Sequence, residues 1–153
     1  MPSTVYEHIL VPIDGSVQSG RGLDEAIRLA AAGGRIRLIH VIDRGPLAVP
    51  GISASRFDLL FEQIREDGRL LLASAEAHVR KAGVAVDVKL IEAPTGAPSD
   101  FIAQEAAQWP ADLIVCGTHA RGGLLRALLG SDGEHILRRS PVPVLLVPTH
   151  STP

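Results

Sequence analysis

Short apolar runs, most of them rich in β-branched residues, recur along this chain with helix-period segments between them. Ile9-Leu10-Val11 opens the first run, which closes at the turn Asp14-Gly15-Ser16. Ile36 to Ile42 is the second run, Val84 to Ile91 the third, Leu113-Ile114-Val115-Cys116 the fourth and Val142 to Val147 the fifth. Between them, Leu23, Ala26, Ile27 and Ala30 hold a helical period up to the stop at Gly33-Gly34. Leu60, Ile64, Leu71, Ala75, Val79 and Ala82 hold another up to Gly83. Pro98 and Asp100 suit the first turn of a third helix that runs to about Gln108, and Asp132 to Arg139 reads as a fourth. A sheet with one wet face needs strands that alternate polar and apolar residues, and most of these runs do not. Strictly alternating strands and helices, with strands apolar on both faces, imply an α/β architecture in which right-handed crossovers clad a parallel sheet on both sides.

Two residues sit awkwardly in that scheme. Pro12 donates no ladder hydrogen bond, so it belongs at the carboxyl end of the first strand. Gly68 lies inside the long second helix, where it costs about 1 kcal/mol relative to alanine; a bend or a close packing contact accounts for it. The glycine- and proline-bearing stretches Gly45 to Gly51 and Gly117 to Gly130 read as connections. With no internal repeat, low-complexity tract or linker, residues 1–153 are expected to form one domain, ordered from about 5 to 148, with His150 to Pro153 disordered.

Composition narrows the function classes. A formal charge of −2, from 15 basic and 17 acidic residues, supplies no broad field for nucleic acid or an anionic membrane. A single cysteine, Cys116, excludes an internal disulfide and any multi-cysteine zinc site. No basic leader with a long apolar run and no bilayer-length apolar stretch is visible, so a cytoplasmic protein that does not enter membranes is the expectation.

Ligands of open parallel sheets bind beyond the carboxyl ends of the strands, where strand order reverses. That rule gathers Pro12 to Ser16, His40 to Asp43 and the segment from Cys116 onward at one mouth. In the last of these, glycines at a strand exit let backbone amides approach a phosphate, and Gly130-Ser131 at a helix start turns free amides toward the same anion. The stretch Gly117 to Ser131 is similar to the nucleotide motif of the universal stress protein family: glycine, two residues, glycine, nine residues, glycine, then serine or threonine. Ile-Leu-Val-Pro-Ile-Asp-Gly-Ser at 9–16, Leu-Ile-His-Val at 38–41, Gly-Ala-Pro at 96–98, Asp-Leu-Ile-Val-Cys-Gly-Thr-His at 112–119 and Pro-Val-Pro-Val-Leu-Leu-Val at 141–147 also resemble that family.

The resemblance implies an open five-stranded parallel sheet of Rossmann-like, adenine nucleotide alpha hydrolase-like type, with strand order 3-2-1-4-5. It also implies a homodimer, often formed through the last strand (Val142 to Val147), and in one subgroup ATP binding, with or without Mg2+. Carried over by position, Asp14 and Val41 would meet the adenosine end, and Pro12 and Ile13 would belong to the nucleotide site. Cys116, Gly117, His119, Ala120, Arg121, Gly130, Ser131 and Asp132 would form or border the phosphate loop.

Two positions depart from the motif. Ala120 replaces its second glycine, at a cost of roughly 1–2 kcal/mol if the loop needs a left-handed residue there. Asp132 follows the motif serine, and a carboxylate about 5 Å from a phosphate charge contributes on the order of 3 kcal/mol of repulsion at an effective dielectric near 20. Magnesium, or Arg121 and Arg126, would offset it.

Plainer roles compete for several of these residues. Ser131 and Glu134 fit a capping box, and Asp14 fits a turn former ahead of Gly15. His40 is expected to pack within or beside the sheet, which leaves His119 as the histidine to associate with phosphate. The six histidines show no ligand spacing, so no metal site is expected. Cys116 ends an apolar run and reads as an inert core thiol, and Arg138 and Arg139 as solvated charges.

The leading reading is an adenine-nucleotide-binding stress regulator with an unidentified protein partner. The alternative is a family member that no longer binds nucleotide and works only as a dimeric interaction module. An enzyme finds little support: there is no Walker loop, dinucleotide fingerprint or paired-histidine loop, so at most slow ATP hydrolysis is expected.

Overall fold

The computed structural model describes residues 6–44, 50–94, 98–118 and 134–148. Its elements run β1 (Tyr6–Pro12), α1 (Val17–Leu29), β2 (Ala30–Asp43), α2 (Ala54–Lys81), β3 (Ala85–Ala93), α3 (Pro98–Gln108), β4 (Leu113–Thr118), α4 (134–139) and β5 (Val144–Pro148). All five strands are parallel, in the order β3-β2-β1-β4-β5. The fold is thus the Rossmann-like open sheet expected, and Pro12 does end its strand.

Side chains two apart on a strand share a face, and the central strands bury both faces. Ile9, Val11, Ile36, Leu38, Leu113 and Val115 pack against Leu23 and Ala26 of α1 and Leu72 and Val79 of α2. Leu10, Ile39, Ile114 and Cys116 turn the other way, onto Ile102 and Ala106 of α3 and Ile136 of α4. The sheet therefore separates two cores, which is why strands such as Ile9-Leu10-Val11 carry no polar alternation.

Both long helices start on a serine: the Ser16 hydroxyl accepts from the Ser19 amide at 3.1 Å, and that of Ser53 from the Arg56 amide at 3.3 Å. The close of the first helix differs from expectation. It ends at Leu29, before Gly33-Gly34, because Ala30 is already extended and pairs with Tyr6. Two steps along β1 (6 to 8) then match five along β2 (30 to 35), and Gly33, at φ +84°, takes the irregular turn.

Gly68 is explained by contact rather than by a bend: a β carbon there would stand 2.9 Å from His40 Cδ2 and 3.1 Å from Leu90 Cδ1. Asp112, just before β4, accepts from the amides of Glu7 (2.8 Å) and His8 (3.1 Å) while its own amide donates to the His8 carbonyl (2.9 Å). It ties β1 to β4 at their amino ends. Beneath α3, the buried Glu105 accepts from Arg37 (2.7 Å) and Lys89 (2.5 Å), joining α3 to β2 and β3.

Candidate functional site

The chain lays β2 and β3 on one side of β1 and then returns to set β4 on the other, so the crossovers change face between β1 and β4. These two strands pair only at Ile9 with Leu113 and Leu10 with Ile114, whereas β4 stays paired with β5 as far as Thr118. A cavity of about 210 Å³ opens where β1 and β4 part. Pro12, Ile13 and Asp14 from the end of β1, Ile39, His40 and Val41 of β2, and Cys116 and Gly117 of β4 line it. Ser19 of α1, Pro98, Ser99 and Ile102 of α3, and Ile136 of α4 complete the wall.

Asp14 is exposed at the end of β1, in a tight turn. Its carboxylate accepts from the Ser16 amide (2.8 Å) and hydroxyl (2.5 Å), and its amide reaches Ser19 Oγ at 3.5 Å. Desolvation pushes the Asp14 carboxyl up, but hydrogen bonds from Ser16 and Ser19 and the nearby His40 outweigh it, so the net shift is downward. The turn reading and the rim position coexist: the local bonds fix an ionised carboxylate at the edge of the cavity. Gly15 sits at φ +86°, which the turn requires.

His40 does pack beside the sheet, and it also lines the cavity. Its Nδ1–H donates to the Ile13 carbonyl at 2.7 Å. Gly68 of α2 leaves room for the ring.

Gly117 is required by packing. A β carbon on it would fall 1.8 Å from the Gln18 carbonyl oxygen, and one on Gly22 would fall 2.8 Å from the Gly117 amide nitrogen. Two glycines thus let α1 press against the end of β4. Burial pushes the Cys116 thiol up to about 12, so it is protonated and not a nucleophile.

Ser99, second residue of α3, is fully buried, and among the described residues its hydroxyl has no hydrogen-bond partner. Also among the described residues, no group of three or more His, Cys, Asp or Glu side chains could hold a metal ion.

Of the residues singled out in the sequence, Pro12, Ile13, Asp14, Val41, Cys116 and Gly117 come together around this cavity. His119, Ala120, Arg121, Gly130, Ser131 and Asp132 lie outside the described residues, as do Gly96-Ala97 and positions 45–49 of the connection after β2. Sequence reasoning missed Ser19, Ile39, Pro98, Ser99, Ile102 and Ile136. The helix start signalled by Pro98 held a clue, because a helix following a strand begins at the same carboxyl-end rim.

A fold and a rim of this kind occur in many proteins; likeness along the whole chain narrows the choice. The model of the universal stress protein family matches residues 5–148. The chain belongs to that family. A universal stress protein of Methanocaldococcus jannaschii is 32% identical over 145 residues, covering 94% of this chain and 82% of the relative. A solved protein of the universal stress protein family from Burkholderia pseudomallei superimposes with a TM-score of 0.76 at 33% identity, covering 97% of this chain and 100% of the other. A universal stress protein solved in complex with cAMP gives a TM-score of 0.65 at 25% identity, over 95% of this chain and 99% of the other.

Proposed function

We propose that this universal stress protein is a regulatory protein of the stress response that binds an adenine nucleotide, ATP above all, in the cavity between β1 and β4. The observation that carries the reading is the cavity itself: a mostly apolar slot at the switch point, with the ionised Asp14 at its rim and Val41 of β2 on one wall. A base fits the apolar depth formed by Ile39, Ile102 and Ile136, and ribose hydroxyls suit the Asp14 carboxylate as donors. The relative solved with cAMP supports an adenine nucleotide as the guest. Phosphates would then run toward the motif from Gly117 to Ser131, with Mg2+ or Arg121 offsetting Asp132.

Mass spectrometry of small molecules released from protein purified without added nucleotide tests this directly. Adenine nucleotide at near-stoichiometric yield is the expected result. An empty extract, together with no calorimetric heat at millimolar ATP and Mg2+, would refute it and leave the second reading, a nucleotide-free interaction module, which Ala120 and Asp132 favour.

In both readings the protein acts as a dimer, formed through β5, the outer strand next to β4. Leu145 on that strand is 36% exposed, and an apolar edge calls for a cover. Light scattering at micromolar concentration should give twice the chain mass; a monomer would remove the dimer from the proposal.

A further inference from the structure

We propose that Ser99 is a specificity residue of the cavity, its hydroxyl hydrogen-bonding the polar edge of the bound nucleobase. The inference rests on the adenine-nucleotide reading above and adds to it the group that meets the base. Three observations converge on Ser99. It is fully buried, its Oγ has no partner among the described residues, and it lines the cavity at the start of α3. A hydroxyl shielded from water with no protein partner is costly to keep, because it has given up its hydrogen bonds to solvent and gained none. A ligand group that completes it turns that cost into binding selectivity, since a guest unable to pair leaves the hydroxyl orphaned.

The surroundings select the base over the rest of a nucleotide. The buried side chains nearest in kind are Ile39, Ile102 and Ile136, and no lysine or arginine lines the cavity among the described residues. A phosphate there would lose its hydration with no cation in return. A flat, largely apolar ring with a few donors and acceptors at its edge loses little, and a serine hydroxyl can both donate to and accept from such an edge.

The test is calorimetric titration of ATP and AMP into the wild-type protein and Ser99→Ala, with thermal melts of the free proteins. Ser99→Ala is expected to bind ATP and AMP each about tenfold more weakly, the loss of one buried hydrogen bond, and by the same factor because both carry the same base. The free Ser99→Ala protein should melt at or above the wild-type temperature, since nothing among the described residues pairs with the hydroxyl. Ser99→Cys, close in volume with a weaker donor, gives a second reading of affinity if the alanine variant folds poorly. Wild-type binding that Ser99→Ala leaves unchanged would overturn the role of Ser99 while the nucleotide reading stands. A loss confined to ATP would place the hydroxyl on phosphate and overturn it too. Wild-type protein that takes neither nucleotide would bring down both.

Discussion

Gly68→Ala puts the packing around the cavity to a quantitative test, because two opposing effects of known size meet at one atom. At an open helical position the substitution stabilises by about 1 kcal/mol. Here the new β carbon would stand 2.9 Å from His40 Cδ2 and 3.1 Å from Leu90 Cδ1, closer than ordinary contact. The imidazole cannot simply swing aside, because its Nδ1–H is bonded to the Ile13 carbonyl at 2.7 Å. Breaking that bond costs about 0.5–1.5 kcal/mol, and keeping it forces overpacking worth about 1–3 kcal/mol. Either cost cancels the helical gain: breaking the bond leaves stability about unchanged, and keeping it leaves a net destabilisation of up to about 2 kcal/mol, a fall in melting temperature of at most several degrees for a chain of this size. Urea unfolding should show an equal or lower midpoint at unchanged slope, without the rise expected at an open helical position. In a His40→Ala background the same change should lose most of its penalty, because the closest atom is gone. A Gly68→Ala protein more stable than wild type by the full gain of about 1 kcal/mol would refute the account, and with it the claim that Gly68 leaves room for the His40 ring.

Other outcomes follow from the same geometry. Gly117→Ala drives a β carbon to 1.8 Å from the Gln18 carbonyl, a backbone atom with no rotamer to yield, so a loss above about 4 kcal/mol is expected in urea unfolding. The buried Cys116 thiol, pushed up to about 12, should react with a disulfide reagent at pH 8 on the order of a thousandfold more slowly than free cysteine until the protein unfolds. Glu105 is pushed up by desolvation, but hydrogen bonds from Lys89 and Arg37 outweigh this and lower it overall. The unfolded chain therefore takes up that proton first: the stabilisation is full above the unfolded value of about 4.3 and is lost as pH falls through the lower folded one. Melting curves between pH 6 and 3 should show Glu105→Gln with a shallower acid loss than wild type.

The architecture is legible in the sequence because it follows from near-neighbour chemistry. Ile9-Leu10-Val11 and Leu113 to Cys116 lack alternation because helices cover both faces, and strands apolar on both sides have few other homes. Pro12 and Gly83 marked a strand end and a helix end through what their own backbones forbid or permit. Where competing signals met, reading along the chain failed: Gly33-Gly34 looked like the helix stop, yet pairing of Ala30 with Tyr6 ended the helix earlier.

The site divides in the same way. Asp14, Val41 and Cys116 could be named in advance because each stands at the exit of a strand, and the exits of a parallel sheet share one rim. The burial of the Ser99 hydroxyl with no partner among the described residues, the room that Gly68 leaves for His40 and the press of α1 on Gly117 could not. Each joins residues far apart in the chain whose meeting is set by how helices seat on the sheet, to within tenths of an ångström. Local spacing carries hydrophobic period and turn preference; whether a buried hydroxyl finds a partner depends on every group that arrives from elsewhere, and only the packed fold decides it.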